Sequence, residues 1–292
     1  PAMKKASAIV TERGGRTSHA AIVSRELGIP AIVGAAGAKK VLKDKLLITV
    51  NGAVGEVYKG GLSDSEKATI EKSKENHSAD HIKTATKVYV NLAEPELAAH
   101  MAKRHVDGVG LLRAEFMIAG IGTHPRKLIQ EKKQDFFIKT LRDDLAKFAK
   151  AFSPRPVIYR TTDFKTNEYR DLKGGAAFEP VEPNPMLGFR GAARYIADAQ
   201  VFEMEIEAIK EVRNKLGYKN LHVMIPFVRN PKELMDIKQI LASHGLVRSQ
   251  SFKLLMMVEI PTNIIRIEEF LDVGIDGISI GSNDLTMLML GT

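Results

Sequence analysis

The chain has 292 residues, 44% of them hydrophobic, with 43 Lys and Arg against 35 Asp and Glu for a net charge of +8. That length predicts one large or two ordinary domains, and the lack of cysteine excludes a disulfide-stapled mini-protein, a thiolate metal site and a cysteine nucleophile within these residues. No run of about 18 apolar residues offers a membrane span, and the segment after Pro1-Ala2-Met3-Lys4-Lys5 is too mixed for a signal-peptide core, so a cytoplasmic location with no membrane partner is expected.

In chain order, Ala8-Ile9-Val10 reads as a short strand. After Gly14-Gly15, Thr17 stands as an N-cap for a helix from Ser18 to Leu27 that Gly28 and Pro30 close. Ala31-Ile32-Val33 reads as a second strand, and Leu46 to Val50 with Gly55 to Tyr58 flank an Asn51-Gly52 turn, a strong hairpin signal. Residues 1–62 therefore form a small α/β domain. From Gly60 to Lys87 the composition turns to Ser, Lys, Glu, Asp and Asn, which places a polar linker at residues 63–87.

Residues 88–292 then repeat a short β-branched apolar run followed by a longer helical stretch. The strands expected are Val88 to Leu92, Gly108 to Leu112, Val157 to Tyr159, Val223 to Phe227, Leu254 to Val258 and Gly277 to Ile280. Such alternation implies a parallel sheet, either a TIM-type (β/α)8 barrel that stops after its sixth strand or a doubly wound open sheet.

In parallel α/β folds the chemistry sits at the carboxyl ends of the strands. Here Arg113 follows Leu112, Arg160 follows Tyr159, Glu259 follows Val258, and Ser282, Asn283 and Asp284 follow the last strand. Two guanidinium forks suit phosphate and carboxylate, and the acidic oxygens suit a hard cation such as Mg²⁺. The net positive charge fits such an anionic ligand or simply a lysine-rich surface. It does not point to nucleic acid, because the basic residues alternate with acidic ones, as in Glu131-Lys132-Lys133-Gln134-Asp135, and aromatics are only 6% of the chain.

His19 is the other candidate. It opens a helix after a Gly-Gly loop, where the helix N-terminus disfavours imidazolium and its free amides would stabilise a phosphoryl group on the ring. The bland reading is a histidine packed at a helix start. No Gly-x-x-x-x-Gly-Lys-Ser/Thr loop is present, so no nucleotide site is found in these residues.

Thr11 to Ala31 (TERGGRTSHAAIVSRELGIPA) closely resembles the phosphohistidine signature of the phosphoenolpyruvate-utilising enzymes. GVGLLRAEFM from Gly108, NPMLGFRG from Asn184, MIPFV from Met224, VEIP from Val258 and GSNDLT from Gly281 resemble the barrel motifs of that family, in its order. The likeness covers essentially the whole chain. Arg160 to Tyr169 (RTTDFKTNEY) and Ile121 to Arg126 (IGTHPR) look most like the members that make phosphoenolpyruvate from pyruvate, ATP and water.

The resemblance implies that His19 carries a phosphoryl group between distant sites as its domain swivels. It implies that Arg113, Arg160 and Arg190 bind phosphoenolpyruvate or pyruvate together with Ser282 and Asn283, and that Glu259 and Asp284 hold Mg²⁺. Thr17 resembles the threonine modified by a regulatory kinase and phosphorylase, where added charge would oppose phosphorylation of His19. Family members also carry an N-terminal ATP-binding domain, two further barrel strands and a substrate-protonating cysteine, so the chain is expected to be a C-terminal fragment of a homo-oligomeric enzyme. Phosphate-dependent dikinases, the sugar-transport enzyme I and a non-catalytic phosphocarrier remain the rival readings.

Overall fold

A computed structural model of the protein describes residues 5–15, 18, 20–21, 24–25, 28–62 and 84–291. His19, Thr17 and residues 63–83 of the expected linker lie outside the described residues. The chain divides into two compact units, 1–86 and 87–292.

In the first unit β1 (Ile9–Thr11) runs parallel to β2 (Ala31–Val33), with Ile9 opposite Ala31. Between them Ala20, Ala21, Ser24 and Arg25 are helical, and Ser18 Oγ accepts the Ala21 N–H at 3.4 Å, the bond of an N-cap. A short helix α1 (Ala38–Val41) follows. β3 (Ile48–Asn51) and β4 (Glu56–Lys59) then pair antiparallel. The hairpin expected around Asn51-Gly52 forms, with Gly52 to Gly55 as its loop. Asn51 is the last residue of β3, opposite Glu56, and its side-chain oxygen accepts the N–H groups of Ala53 at 3.1 Å and Val54 at 3.4 Å. An asparagine that satisfies loop amides from the strand end has no need to enter the left-handed region of a tight turn.

The second unit is built on six parallel strands: β5 (Tyr89–Leu92), β6 (Gly108–Arg113), β7 (Val157–Arg160), β8 (Leu221–Ile225), β9 (Leu254–Val258) and β10 (Gly277–Ile280). Each pairs with the next in sequence order. The sheet curls into a half-barrel, a TIM-type architecture with six strands and not a doubly wound sheet. Side chains alternate between its faces as the pleat requires. Val157, Tyr159, Val223, Ile225, Leu254, Met256 and Val258 point into the main core against the helices, whereas Leu111, Ile158, Met224, Leu255 and Met257 pack together on the other face.

Three strand ends differ from the sequence pattern. Arg113 and Arg160 are paired residues inside their strands, with Arg113 opposite Arg160 and Arg160 opposite Met224. β8 ends at Ile225, two residues before the apolar run does. Pro226 cannot donate to the ladder, and Phe227 has φ +49°, outside the extended region of an L-residue.

The helix layer is anchored by α3 (Gln134–Phe152), preceded by α2 (Ala114–Ile121) and followed by α4 (Ala192–Ala197), α5 (Ala199–Lys210) and α6 (Pro231–Ser243). Phe137, Leu141, Leu145, Phe148, Ala149 and Phe152 recur at helical spacing and bury one stripe of α3 against the sheet. Among the described residues no helix is long and apolar enough to cross a membrane. Because Phe148 is fully buried in this core, Phe148→Ala is expected to lower unfolding stability by about 3–5 kcal/mol in urea titrations. A loss under about 1 kcal/mol would show that the stripe is not the packed centre described here.

Candidate functional site

The sequence DFKTNEY after β7 begins with Asp163, and this carboxylate organises the carboxyl end of the half-barrel. Arg190 meets it with both faces of its fork: Nε donates to Oδ1 at 2.9 Å and Nη2 to Oδ2 at 2.6 Å. The same Nη2 reaches Asp284 Oδ2 at 3.1 Å. Arg160, the last residue of β7, lies with Nη1 3.7 Å from Asp163 Oδ2 and Nη2 3.0 Å from Glu115 Oε1. Glu115 Oε1 also accepts the N–H of Asp163 at 2.7 Å, so one carboxylate at the start of α2 holds both an arginine and the backbone of its neighbour.

Both arginines are charged beyond doubt of titration. Burial opposes their charge, but for Arg160 the carboxylates of Glu115, Asp163 and Glu259 outweigh it, and for Arg190 Asp163, Asp284 and Glu259 do the same, so both pKa values are raised. The Nε–H of Arg160 and Oε2 of Glu115 are buried with no hydrogen-bond partner, which leaves hydrogen-bonding capacity within the cluster. Planar guanidinium groups held rigidly by carboxylates are preorganised to bind phosphate or carboxylate without first losing rotamer freedom.

Glu259 stands one residue beyond β9. Its Oε1 accepts the N–H of Phe227 at 2.6 Å, so the donor of this residue, whose φ is +49°, serves the site and not the sheet ladder. Two guanidinium groups lie over the Phe227 ring, Arg190 at 4.1 Å and Arg229 at 4.9 Å from its centroid. Close packing completes the arrangement. A Cβ on Gly281 would stand 2.7 Å from both Cβ and Oε2 of Glu259, and one on Gly191, at φ +57°, would stand 2.6 Å from Cβ of Phe227, so glycine is required at both. At the start of α7 (Pro261–Ile265), Asn263 Oδ1 accepts from the N–H groups of Glu259 and Ile260, both at 3.1 Å, while its Nδ2 donates to Val228 O at 2.7 Å. The chain segments leaving β8 and β9 are thereby tied together.

Burial pushes the Glu259 carboxyl up to about 7, helped by Asp163 and Asp284 and resisted by Arg160 and the Phe227 N–H. A carboxylate that is costly to ionise, among other carboxylates, is well placed to receive a cation. Among the described residues no group of three or more His, Cys, Asp or Glu could hold a metal by itself. The donor set fits Mg²⁺, which commonly takes one or two carboxylates and fills its octahedron with water and substrate oxygens.

The strand-end residues thus occupy distinct places. Arg160, Arg190, Glu259 and Asp284 share one electrostatic cluster, and Arg113 is the register partner of Arg160. Ser282 and Asn283 are exposed at the start of α8 (Ser282–Leu290). Sequence reasoning missed Asp163, Glu115, Phe227 and Asn263. Only Asp163 carried a signal, as an acidic residue three positions past a strand-end arginine.

Comparison with known proteins agrees with the layout of both units. Residues 67–292 match the PEP-binding domain of PEP-utilising enzymes, and residues 1–55 match their mobile domain. The chain is 47% identical to a probable phosphoenolpyruvate synthase of Staphylothermus marinus, with 100% of the chain and 36% of that protein covered. It is 47% identical to the phosphoenolpyruvate synthase of Aeropyrum pernix, with 100% of the chain and 37% of that protein covered. It is 45% identical to that of Deinococcus radiodurans, with 99% of the chain and 40% of that protein covered. The chain therefore spans well under half the length of these relatives.

The raised Glu259 pKa has a thermodynamic consequence. Between its ordinary value of 4.5 and about 7, the folded state holds a proton that the unfolded state has released, so this group's contribution to stability is present below 4.5 and is lost as pH rises through about 7. Glu259→Gln, measured by urea unfolding at pH 5 and pH 8 without divalent cation, is expected to lessen the stability lost over that interval by roughly 2–3 kcal/mol. Parallel curves for the two proteins would refute the buried, carboxylate-crowded environment.

Proposed function

The chain belongs to the phosphoenolpyruvate-utilising enzymes, and from that premise we propose that it carries the pyruvate and phosphohistidine half of a pyruvate, water dikinase, which converts pyruvate, ATP and water to phosphoenolpyruvate, AMP and phosphate. The observation that carries the reading is the pair of arginines clamped on Asp163 beside Glu259 and Asp284, at the strand ends where parallel barrels place their chemistry. The names of the relatives favour water over phosphate as the second phosphoryl acceptor. We place residues 1–62 as the phosphohistidine domain, 63–87 as its linker and 88–292 as the substrate-binding barrel. ATP would be used by a part of the enzyme outside these residues.

In this reading Arg160 and Arg190, with Arg113, bind the phosphoryl and carboxylate groups of phosphoenolpyruvate, and Asn283 and Ser282 contact the same ligand from the exposed start of α8. Glu259 and Asp284 would hold Mg²⁺, which when bound supplies positive charge beside the substrate oxygens. The neutral His19 ring attacks phosphorus. The bond from phosphorus to the enol oxygen breaks as the nitrogen–phosphorus bond forms, and the electron pair stays on the enolate, which becomes pyruvate when its terminal carbon takes a proton. In the synthetic direction the enolate oxygen of pyruvate attacks phospho-His19 and the nitrogen–phosphorus bond breaks. The arginines stay put in both directions, so their charge stabilises the enolate and the transferring phosphoryl group without reorganisation. A phosphoryl group on Thr17 would place like charge next to His19 and oppose the transfer.

The test is the intact mass of the full-length protein incubated with phosphoenolpyruvate and Mg²⁺. A gain of one phosphoryl group that His19→Ala abolishes is expected. No gain in the unaltered protein would overturn the proposed half-reaction.

A further inference from the structure

A buried carboxylate outside the cluster lies directly behind it. Glu205 sits on α5 (Ala199–Lys210), which follows α4 (Ala192–Ala197), and is 2% exposed. It belongs to the helix layer, on the side of β7 opposite the face that carries Arg160, and reaches the strand through Tyr159, whose hydroxyl donates to Glu205 Oε1 at 2.5 Å. The same oxygen accepts the Thr162 N–H and the Thr162 hydroxyl, both at 3.0 Å. No salt bridge joins Glu205 to a cation among the described residues. The Thr162 carbonyl is taken as well, by the hydroxyl of Tyr195 from α4.

Thr162 is therefore held at its N–H, its hydroxyl and its carbonyl by two side chains of the helix pair that follows Arg190 and Gly191. The next residue is Asp163, which grips both site arginines. Its backbone position is fixed from one side by this clamp and from the other by Glu115, which accepts the Asp163 N–H at 2.7 Å. Thr161 completes the segment by donating its N–H to Met224 O at 3.0 Å. Burying a carboxylate away from any cation is expensive. Burial pushes Glu205 up to about 7 against the pull of its three donors. Apolar residues of similar volume would fill the same space at lower cost, so the role that fits this group is the geometry it imposes on the donors around it.

Resting on the substrate reading above, we infer that Glu205 is a positioning residue for phosphoenolpyruvate binding: through Thr162 it fixes Asp163, and through Asp163 the forks of Arg160 and Arg190. It touches no substrate. Its effect is confined to how well the arginines are preorganised, which sets it apart from an ordinary core residue whose loss lowers stability alone.

The experiment is a double-mutant cycle on the dissociation constant for phosphoenolpyruvate with Mg²⁺, measured by calorimetry on the full-length protein as Glu205→Gln, Asp163→Asn and the pair, with thermal unfolding of each. Glu205→Gln keeps the shape and removes the charge. It is expected to weaken binding about tenfold in the unaltered background and to have little further effect once Asp163 is Asn. Tyr195→Phe, which frees the Thr162 carbonyl and leaves the carboxylate in place, is expected to weaken binding a few-fold, and it carries the test if Glu205→Gln does not fold. Undiminished binding in the folded Glu205→Gln protein, or an equal loss in both backgrounds, would overturn the positioning role while leaving the substrate reading intact. Failure of the unaltered protein to bind would overturn the substrate reading and this inference with it.

Discussion

The shared grip of Asp163 on Arg190 and Arg160 is the constraint from which the rest of the candidate site follows. A carboxylate 2% exposed at its side chain is tolerable in a protein only where cations and hydrogen-bond donors surround it. Here they do, and the reciprocal holds for the arginines. Removing the carboxylate would leave two largely buried guanidinium groups without their common counter-ion, and this makes the cluster stand or fall as a unit. Such a unit costs desolvation free energy to build, which argues that it is kept for what it can bind and not for stability.

The scaffold supplies that unit from far-separated sequence. β7 delivers Arg160, the segment after it delivers Asp163, the loop before α4 delivers Arg190, β9 delivers Glu259 and α8 delivers Asp284. Several local devices keep these pieces in register. His124 Nε2 lies 2.9 Å from Glu179 Oε1, and Arg194 Nη1 meets the same oxygen at 2.7 Å. Arg194 also donates to Phe189 O at 2.7 Å, so this buried triad holds the residue immediately before Arg190. Arg229 adds a tie one residue earlier, donating to Gly188 O at 2.6 Å. The loop is thereby fastened at the two residues before Arg190 and, through Arg229 donating to Arg190 O at 3.3 Å, at Arg190 itself.

Much of the second unit is readable from sequence because parallel strands buried on both faces appear as short apolar runs, and the order of those runs is the order of the sheet. The residue pattern at their ends also points to Arg160 and Glu259. Glu115 and Glu205 are not readable in this way, and Asp163 only as an acidic residue close behind a strand-end arginine. Each matters through partners 27 to 48 residues away, and a lone acidic residue in a helix or loop carries no sign of where its charge is satisfied. Phe227 shows the same limit differently: its apolar side chain extends the expected strand, while its backbone leaves the sheet to serve Glu259. The Asn51-Gly52 pair marks the hairpin but not where its loop begins, because the Asn side chain serves the loop amides from the strand end.

The most direct measurement is calorimetric titration of phosphoenolpyruvate with Mg²⁺ into the full-length protein, unaltered and as Arg160→Lys. Lysine keeps the positive charge and loses the planar fork that Glu115 and Asp163 orient. The expected result is clear binding by the unaltered protein and a loss of about 10- to 100-fold in the variant at an unchanged unfolding midpoint. Equal affinity in the two proteins would contradict the claim that preorganised guanidinium geometry, and not charge alone, makes this strand end a phosphoenolpyruvate site.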